Sequence, residues 1–178
     1  MSERIFLFPG QGSQAVGMGK DLFAKSEFAS KTFRRADEVL GYSLSRICFE
    51  GPEEELKLTH NTQPALLTVS YILYALWEKE PRLTAGHSLG EYSALLCAGA
   101  FRFEDALLLV HKRGRYMQEA VPVGVGAMAA LIGADIDVLR AVVEAVNAEN
   151  AARPAAPGGV RPVVNLANWN SAGQVVIS

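Results

Sequence analysis

Cysteine is scarce in this chain. Cys48 and Cys97 are the two in 178 residues, far apart and with no Cys-x-x-Cys spacing. That leaves no disulfide framework and no thiolate metal site, and both read as free thiols of a reducing compartment. Histidine is nearly as sparse: His60, His87 and His111 show no ligand spacing with Cys or Asp, so no metal is expected. An excess of one charge is also missing. A formal net charge of −2 offers no basic footprint for nucleic acid. Arg, Glu, Lys or Pro interrupts every apolar run before membrane-spanning length, which excludes a membrane partner of that kind. The opening run Ile5-Phe6-Leu7-Phe8 meets Pro9 too early for a signal peptide, so a cytoplasmic location is the default. What remains, 49% hydrophobic and 20% charged, is a soluble globular chain long enough for one core of ordinary size.

Ile5 to Phe8 is a continuous apolar run that suits a buried parallel strand, and Gly10-Gln11-Gly12-Ser13-Gln14 follows as a glycine-rich loop. Apolar residues from Leu22 to Leu40 fall at helical intervals and stop at Gly41, a C-cap. Thr62 is placed to cap the next helix, with Pro64 near its first turn and a broad apolar run from Ala65 to Trp77. Leu83-Thr84-Ala85 reads as a strand, and Glu104 to Ala120 as a helix. This alternation argues for an α/β layered fold with a parallel sheet. Beyond a hinge at 121–126 the pattern changes. A strand at Ala127 to Ile132 precedes Asp135, a cap for the helix Ile136 to Val146. A loop rich in Ala, Pro and Gly spans Ala151 to Pro162, and two strands, Val163 to Trp169 and Gln174 to Ile177, make a hairpin. The order β-α-β-β is the first part of a ferredoxin-like unit, which needs one more helix and strand. It leaves Gln174 to Ile177 as an expected open edge. The expected division is 1–123 for the large subdomain and 124–178 for the small one.

Between strand and helix lies Gly86-His87-Ser88-Leu89-Gly90, a G-x-S-x-G nucleophile elbow. Glycines let the backbone turn sharply there, and the serine hydroxyl projects from the bend as a potential acyl carrier. Ala106, Val110, Arg113 and Met117 share one helical stripe. An arginine on an apolar stripe must meet an anion, snorkel to water, or cost stability. His87 is rejected as a base, because neighbouring residues at a strand end face opposite ways; it reads as a structural residue beneath the elbow. His111 reads as surface, and His60 as a solvated residue or loop contact. Lys112, Arg115, Arg34 and Arg35 read as separate surface charges ahead of a docking patch.

Phe8-Pro9-Gly10-Gln11-Gly12-Ser13-Gln14, Gly51-Pro52, Thr62-Gln63-Pro64-Ala65-Leu66-Leu67, the elbow with Glu91-Tyr92-Ser93-Ala94, Arg113-Gly114, and Asn170-Ser171 with Gln174-Val175-Val176-Ile177 occur in that order. Together they resemble the malonyl-CoA:acyl carrier protein transacylases over essentially the whole chain. The resemblance implies an α/β-hydrolase-like parallel-sheet subdomain plus an incomplete ferredoxin-like α+β small subdomain. It implies Ser88 as nucleophile, with the backbone N–H groups of Gln11 and Leu89 as the oxyanion hole. Arg113 would grip the malonyl carboxylate, and Gln63, Asn168 and Asn170 would line the pocket. The substrates implied are malonyl-CoA and acyl carrier protein, through coenzyme A and phosphopantetheine thioesters, with no cofactor and no metal.

In that family the histidine that deprotonates the serine comes later than this sequence reaches. The chain is therefore expected to be an N-terminal fragment, inactive alone and in need of a complementing C-terminal chain. Three other readings stay open: a polyketide-synthesis acyltransferase with another extender unit, a hydrolase using the same elbow, and a non-catalytic binder of acyl-CoA or carrier protein.

Overall fold

A computed structural model describes residues 4–77, 79–121, 126–153 and 161–178. They fall into two compact units, Met1–Ala120 and Val121–Ser178. The expected boundary at 123/124 and most of the expected loop after Ala151 lie outside the described residues.

In the first unit, β1 (Ile5–Phe8) and β2 (Leu83–Gly86) pair in parallel, from Ile5 opposite Leu83 to Phe8 opposite Gly86. Alternation along β1 sends Phe6 and Phe8 inward, against Tyr74 and the helix α6 (Leu89–Cys97). Ile5 and Leu7 point the other way and are 58% and 76% exposed. The buried-strand expectation thus holds for one face only: α6 covers one side of the pair, and among the described residues of this unit nothing covers Ile5 and Leu7. Between β1 and residues 66–77 runs an apolar groove of about 500 Å³, lined by Phe6, Leu7, Leu73, Tyr74 and Trp77 among others.

The predicted helix from Leu22 to Leu40 is two helices, α1 (Lys20–Lys25) and α2 (Glu27–Leu40). Ser26 interrupts them with an extended backbone, and its Oγ accepts the Ala29 N–H at 3.2 Å as an N-cap. Gly41, at φ 74°, closes α2 as expected. Two short helices follow, α3 (Leu44–Glu50) and α4 (Glu53–Lys57). Next comes α5 (Thr59–Leu76), which is buried on several sides, as its broad apolar run predicted. Leu66, Leu67 and Ile72 join Phe33, Leu44, Leu56, Leu107 and Val110 in the main core. Thr62 does not cap α5, which starts earlier; its hydroxyl donates to the Leu56 carbonyl instead. Pro64 therefore lies inside the helix and cannot donate to the His60 carbonyl. His111 Nδ1, from α7 (Phe103–Ala120), takes that carbonyl at 3.0 Å. His111 is thus half-buried against α5 rather than a surface residue.

In the second unit, β3 (Ala129–Ile132), α8 (Ile136–Ala152), β4 (Leu166–Ser171) and β5 (Gln174–Ile177) form an antiparallel sheet of order β3-β5-β4 under one crossover helix. Asp135 caps α8, accepting from the Asp137 and Val138 N–H groups at 2.9 and 3.1 Å. The helix runs past Val146 to Ala152. The expectation of an open edge at Gln174 to Ile177 is wrong: β5 is the central strand. The hairpin folds it onto β4, and its other side pairs with β3 from Ala129 opposite Ile177 to Ile132 opposite Gln174.

Candidate active site

Ser88 stands between β2 and α6 with φ 56° and ψ −109°, the one non-glycine residue of positive φ among the described residues. Such backbone strain costs of order 1–3 kcal/mol and persists where surrounding structure enforces it. The flanking glycines do something other than bend the chain, since neither has a positive φ. A Cβ on Gly86 would sit 2.1 Å from the Gly90 carbonyl carbon, and one on Gly90 would sit 2.3 Å from the Phe8 oxygen. What these glycines supply is the missing side chain, which lets β1, β2 and the first turn of α6 meet backbone to backbone.

The Ser88 hydroxyl oxygen accepts a hydrogen bond from Arg113 Nη2 at 3.0 Å. Arg113 Nη1 donates to Gln63 Oε1 at 2.8 Å, and its Cζ lies 5.4 Å from the Tyr92 ring centroid, a cation–π distance. Gly114 explains how α7 brings the arginine so close. A Cβ there would lie 2.6 Å from the Thr59 carbonyl oxygen, so α7 and the start of α5 cross almost in backbone contact. Of the three fates open to an arginine on this stripe, the structure shows a half-buried guanidinium. Among the described residues no carboxylate pairs with it. Its cationic donors converge on the Ser88 hydroxyl and on a neutral amide.

Leu89 is fully buried and opens α6, and its N–H has no hydrogen-bond partner among the described residues. The same is true of the Gln11 N–H, in a loop that touches the elbow: a Cβ on Gly10 would be 3.1 Å from the His87 oxygen. The Gln11 side chain donates to Thr59 Oγ1 at 3.4 Å. Ser88, Leu89, Gln11, Arg113 and Gln63 are all placed by the first unit. Asn168 and Asn170 stand exposed on β4 of the second unit, where Asn170 Nδ2 donates to Gln174 Oε1 at 3.0 Å.

No histidine is hydrogen-bonded to Ser88 among the described residues. His87 is exposed, not buried beneath the elbow; its carbonyl accepts the Gly90 N–H at 2.9 Å. His60 lies in the first turn of α5 with its ring centroid 6.1 Å from that of His111. Burial first, then the neighbouring His111 and Arg115, holds its pKa below the ordinary range. Of the surface cations, Arg35 pairs with Glu104 and Glu38, and Arg115 pairs with Glu119. Arg34 lies over the Phe23 ring. Two neighbours of the site escaped the sequence reading. Tyr92, one helical turn beyond Ser88, stands in the elbow motif with no role assigned to it there, since its ring meets Arg113 only through the packing of a distant helix. Met117 was placed on the arginine stripe, but its contact with Gln63, Nε2 to Sδ 3.3 Å, depends on a helix far away in sequence. Among the described residues no group of His, Cys, Asp and Glu is arranged to hold a metal, and no helix is long and apolar enough to cross a membrane.

The first unit thus brings together an elbow serine, two N–H groups without partners among the described residues and a converging guanidinium. The chain belongs to the acyl transferase domain family, whose model matches residues 5–176. It is 50% identical to the malonyl CoA-acyl carrier protein transacylase of Bacillus subtilis and 49% identical to that of Escherichia coli K12. Both matches cover 100% of this chain, and 54% and 55% of the relatives. Among solved structures, a malonyl CoA-acyl carrier protein transacylase from Coxiella burnetii matches with a TM-score of 0.84 and 44% identity, over 99% of this chain and 53% of that one. A malonyl-transacylase solved in complex with a type II polyketide synthase acyl carrier protein matches with a TM-score of 0.84 and 46% identity, over 99% and 54%. The fold is accordingly α/β, with an α/β-hydrolase-like first unit and a ferredoxin-like second unit. The chain spans about half the length of the curated relatives it matches.

Proposed function

We propose that this chain carries the acyl-accepting part of a malonyl-CoA:acyl carrier protein transacylase of fatty acid biosynthesis. Ser88 Oγ attacks the malonyl thioester carbonyl, the C–S bond breaks, and coenzyme A leaves as the thiol. The malonyl ester on Ser88 then passes to the phosphopantetheine thiol of acyl carrier protein. The N–H groups of Leu89 and Gln11 stabilise the tetrahedral oxyanion of each step; loss of one such donor costs about 100- to 1000-fold in rate. One observation carries the reading: an arginine with no carboxylate partner among the described residues has Nη2 3.0 Å from the nucleophile. An acyl group bonded to Ser88 and ending in a carboxylate reaches that guanidinium, whereas an acetyl group offers it no anion. Asn168 and Asn170 keep, in this reading, the substrate-binding role that the resemblance implies for them. No metal and no cofactor are needed, because the thioesters are substrates. The transacylase solved with a carrier protein supports the acceptor. Two unpaired, buried thiols suit a cytoplasmic location.

The base is supplied by a complementing C-terminal segment. Support for such a partner is the coverage of about half the relatives together with the uncovered side of the β1–β2 pair, where Ile5, Leu7 and Leu83 are each more than half exposed. A parallel strand pair ordinarily has both faces covered. In a serine protease, removing the triad histidine lowers kcat about a million-fold. Transfer by this chain alone is therefore expected to be negligible.

The test is mass spectrometry of the chain after incubation with malonyl-CoA and with acetyl-CoA, with and without the C-terminal half of a curated relative. The expected result is a malonyl adduct at Ser88 that requires the added half and favours malonyl over acetyl. An adduct that survives Ser88→Ala overturns the nucleophile. Transfer by the chain alone at the rate of a complete relative overturns the missing base.

A further inference from the structure

Gln63 is a fully buried polar side chain with both ends of its amide engaged. Arginine carries donors only, so the guanidinium requires Gln63 Oε1, and not Nε2, to face it at 2.8 Å. Nε2 then points the opposite way, at Met117 Sδ, 3.3 Å distant. A thioether sulfur accepts a hydrogen bond weakly and donates none, so it discriminates between the two ends of the amide in the same sense as the arginine. Met117 lies one turn beyond Arg113 on α7 and shares its face. We propose that Met117 is a positioning residue: its sulfur locks the Gln63 amide in the orientation that holds the Arg113 guanidinium at Ser88, and so sharpens selection of acyl groups with a terminal carboxylate.

A purely apolar residue of similar volume at 117 would fill the same space. It would leave Nε2 a buried donor without a partner, so the amide would be held at its Arg113 end alone. An amide tethered at one end holds Oε1 less firmly against Arg113 and gives the guanidinium room to swing. The selectivity part of the proposal rests on the reading of Arg113 as a carboxylate clamp, whereas the amide lock does not.

The test is NMR on the isotope-labelled 178-residue chain, following the Gln63 side-chain NH₂ and the Arg113 guanidinium. Met117→Leu conserves volume and removes the acceptor; Met117→Gln restores an acceptor, an amide oxygen. In Met117→Leu the Gln63 NH₂ should exchange with solvent at least roughly ten times faster, as a lost hydrogen bond allows. The Arg113 signals should move, and Met117→Gln should reverse both changes. Affinity for monomethyl malonate should fall roughly two- to ten-fold in Met117→Leu, the range of one neutral hydrogen bond. Methyl acetate, which lacks the carboxylate, should be unaffected. Unchanged Gln63 exchange and Arg113 signals in Met117→Leu overturn the lock. Failure of Met117→Gln to restore them overturns it too, because packing rather than the acceptor would then be the cause. A wild-type chain that binds monomethyl malonate no better than methyl acetate overturns the carboxylate reading and the selectivity claim, while the exchange measurement still decides the lock.

Discussion

Replacing Ser88 by glycine and, separately, by alanine isolates the backbone strain at the elbow. Both variants lose the hydroxyl and with it the 3.0 Å bond from Arg113, so that loss cancels in the comparison. What differs is the cost of φ 56°, ψ −109°. Alanine bears it, about 1–3 kcal/mol, and glycine does not. Glycine instead carries a penalty of about 0.5–1 kcal/mol for its freer unfolded chain. The expected net is roughly 1 kcal/mol in favour of Ser88→Gly. With a urea slope of about 1–3 kcal/mol per molar, the midpoint should lie about 0.3–1 M higher for Ser88→Gly than for Ser88→Ala. Trp77 reports on the first unit, its ring centroid 6.2 Å from that of Phe6. The sequence has one other tryptophan, Trp169 in the second unit, so a Trp169→Phe background makes the fluorescence specific. A Ser88→Ala variant as stable as Ser88→Gly, or more stable, would refute the claim that the fold enforces strain at Ser88.

Gly90→Ala drives a Cβ to within 2.3 Å of the Phe8 oxygen, backbone that cannot rotate away, and should cost about 1–3 kcal/mol or more. Gly173→Ala, whose Cβ meets nothing within 4 Å, is the neutral control, and equal thermal midpoints for the two would remove the close-approach argument. For His60, burial depresses the folded pKa, so as pH falls below the ordinary 6.5 the unfolded imidazole takes its proton first. Stability present above that pH should be lost as pH falls through 6.5 toward the lower folded value. His60→Gln should flatten this part of the stability–pH curve, and an unchanged slope in that variant would assign it to other groups.

Information of short range was legible before any coordinates. The sharp stop at Gly41, the Asp135 cap and the Ser88 elbow are each written within about five residues, where backbone preference and hydrogen-bonding geometry act locally. Residue order along the chain also carried the family resemblance. The same local reasoning failed where one residue competed with its surroundings. Ser26 captures the Ala29 N–H and splits a helix whose apolar spacing runs straight through it. Thr62 resembles a cap, yet the helix had already begun at Thr59.

The remainder belonged to the tertiary structure. Which strand lies in the middle of the second sheet follows from β3 and β5 closing on each other across α8, and no stretch of sequence near Gln174 states it. That Gly86 and Gly90 serve by lacking a Cβ became visible only once Phe8 stood beside them. Arg113 shows the division most sharply. Its place on an apolar stripe was readable from three- and four-residue spacing, because a helix repeats every 3.6 residues. Its partners were not: Ser88 lies 25 positions away and Gln63 lies 50 positions away. Helical periodicity sets the face on which a side chain emerges, whereas the group it meets is decided by how distant helices pack, here by α7 crossing α5 at Gly114.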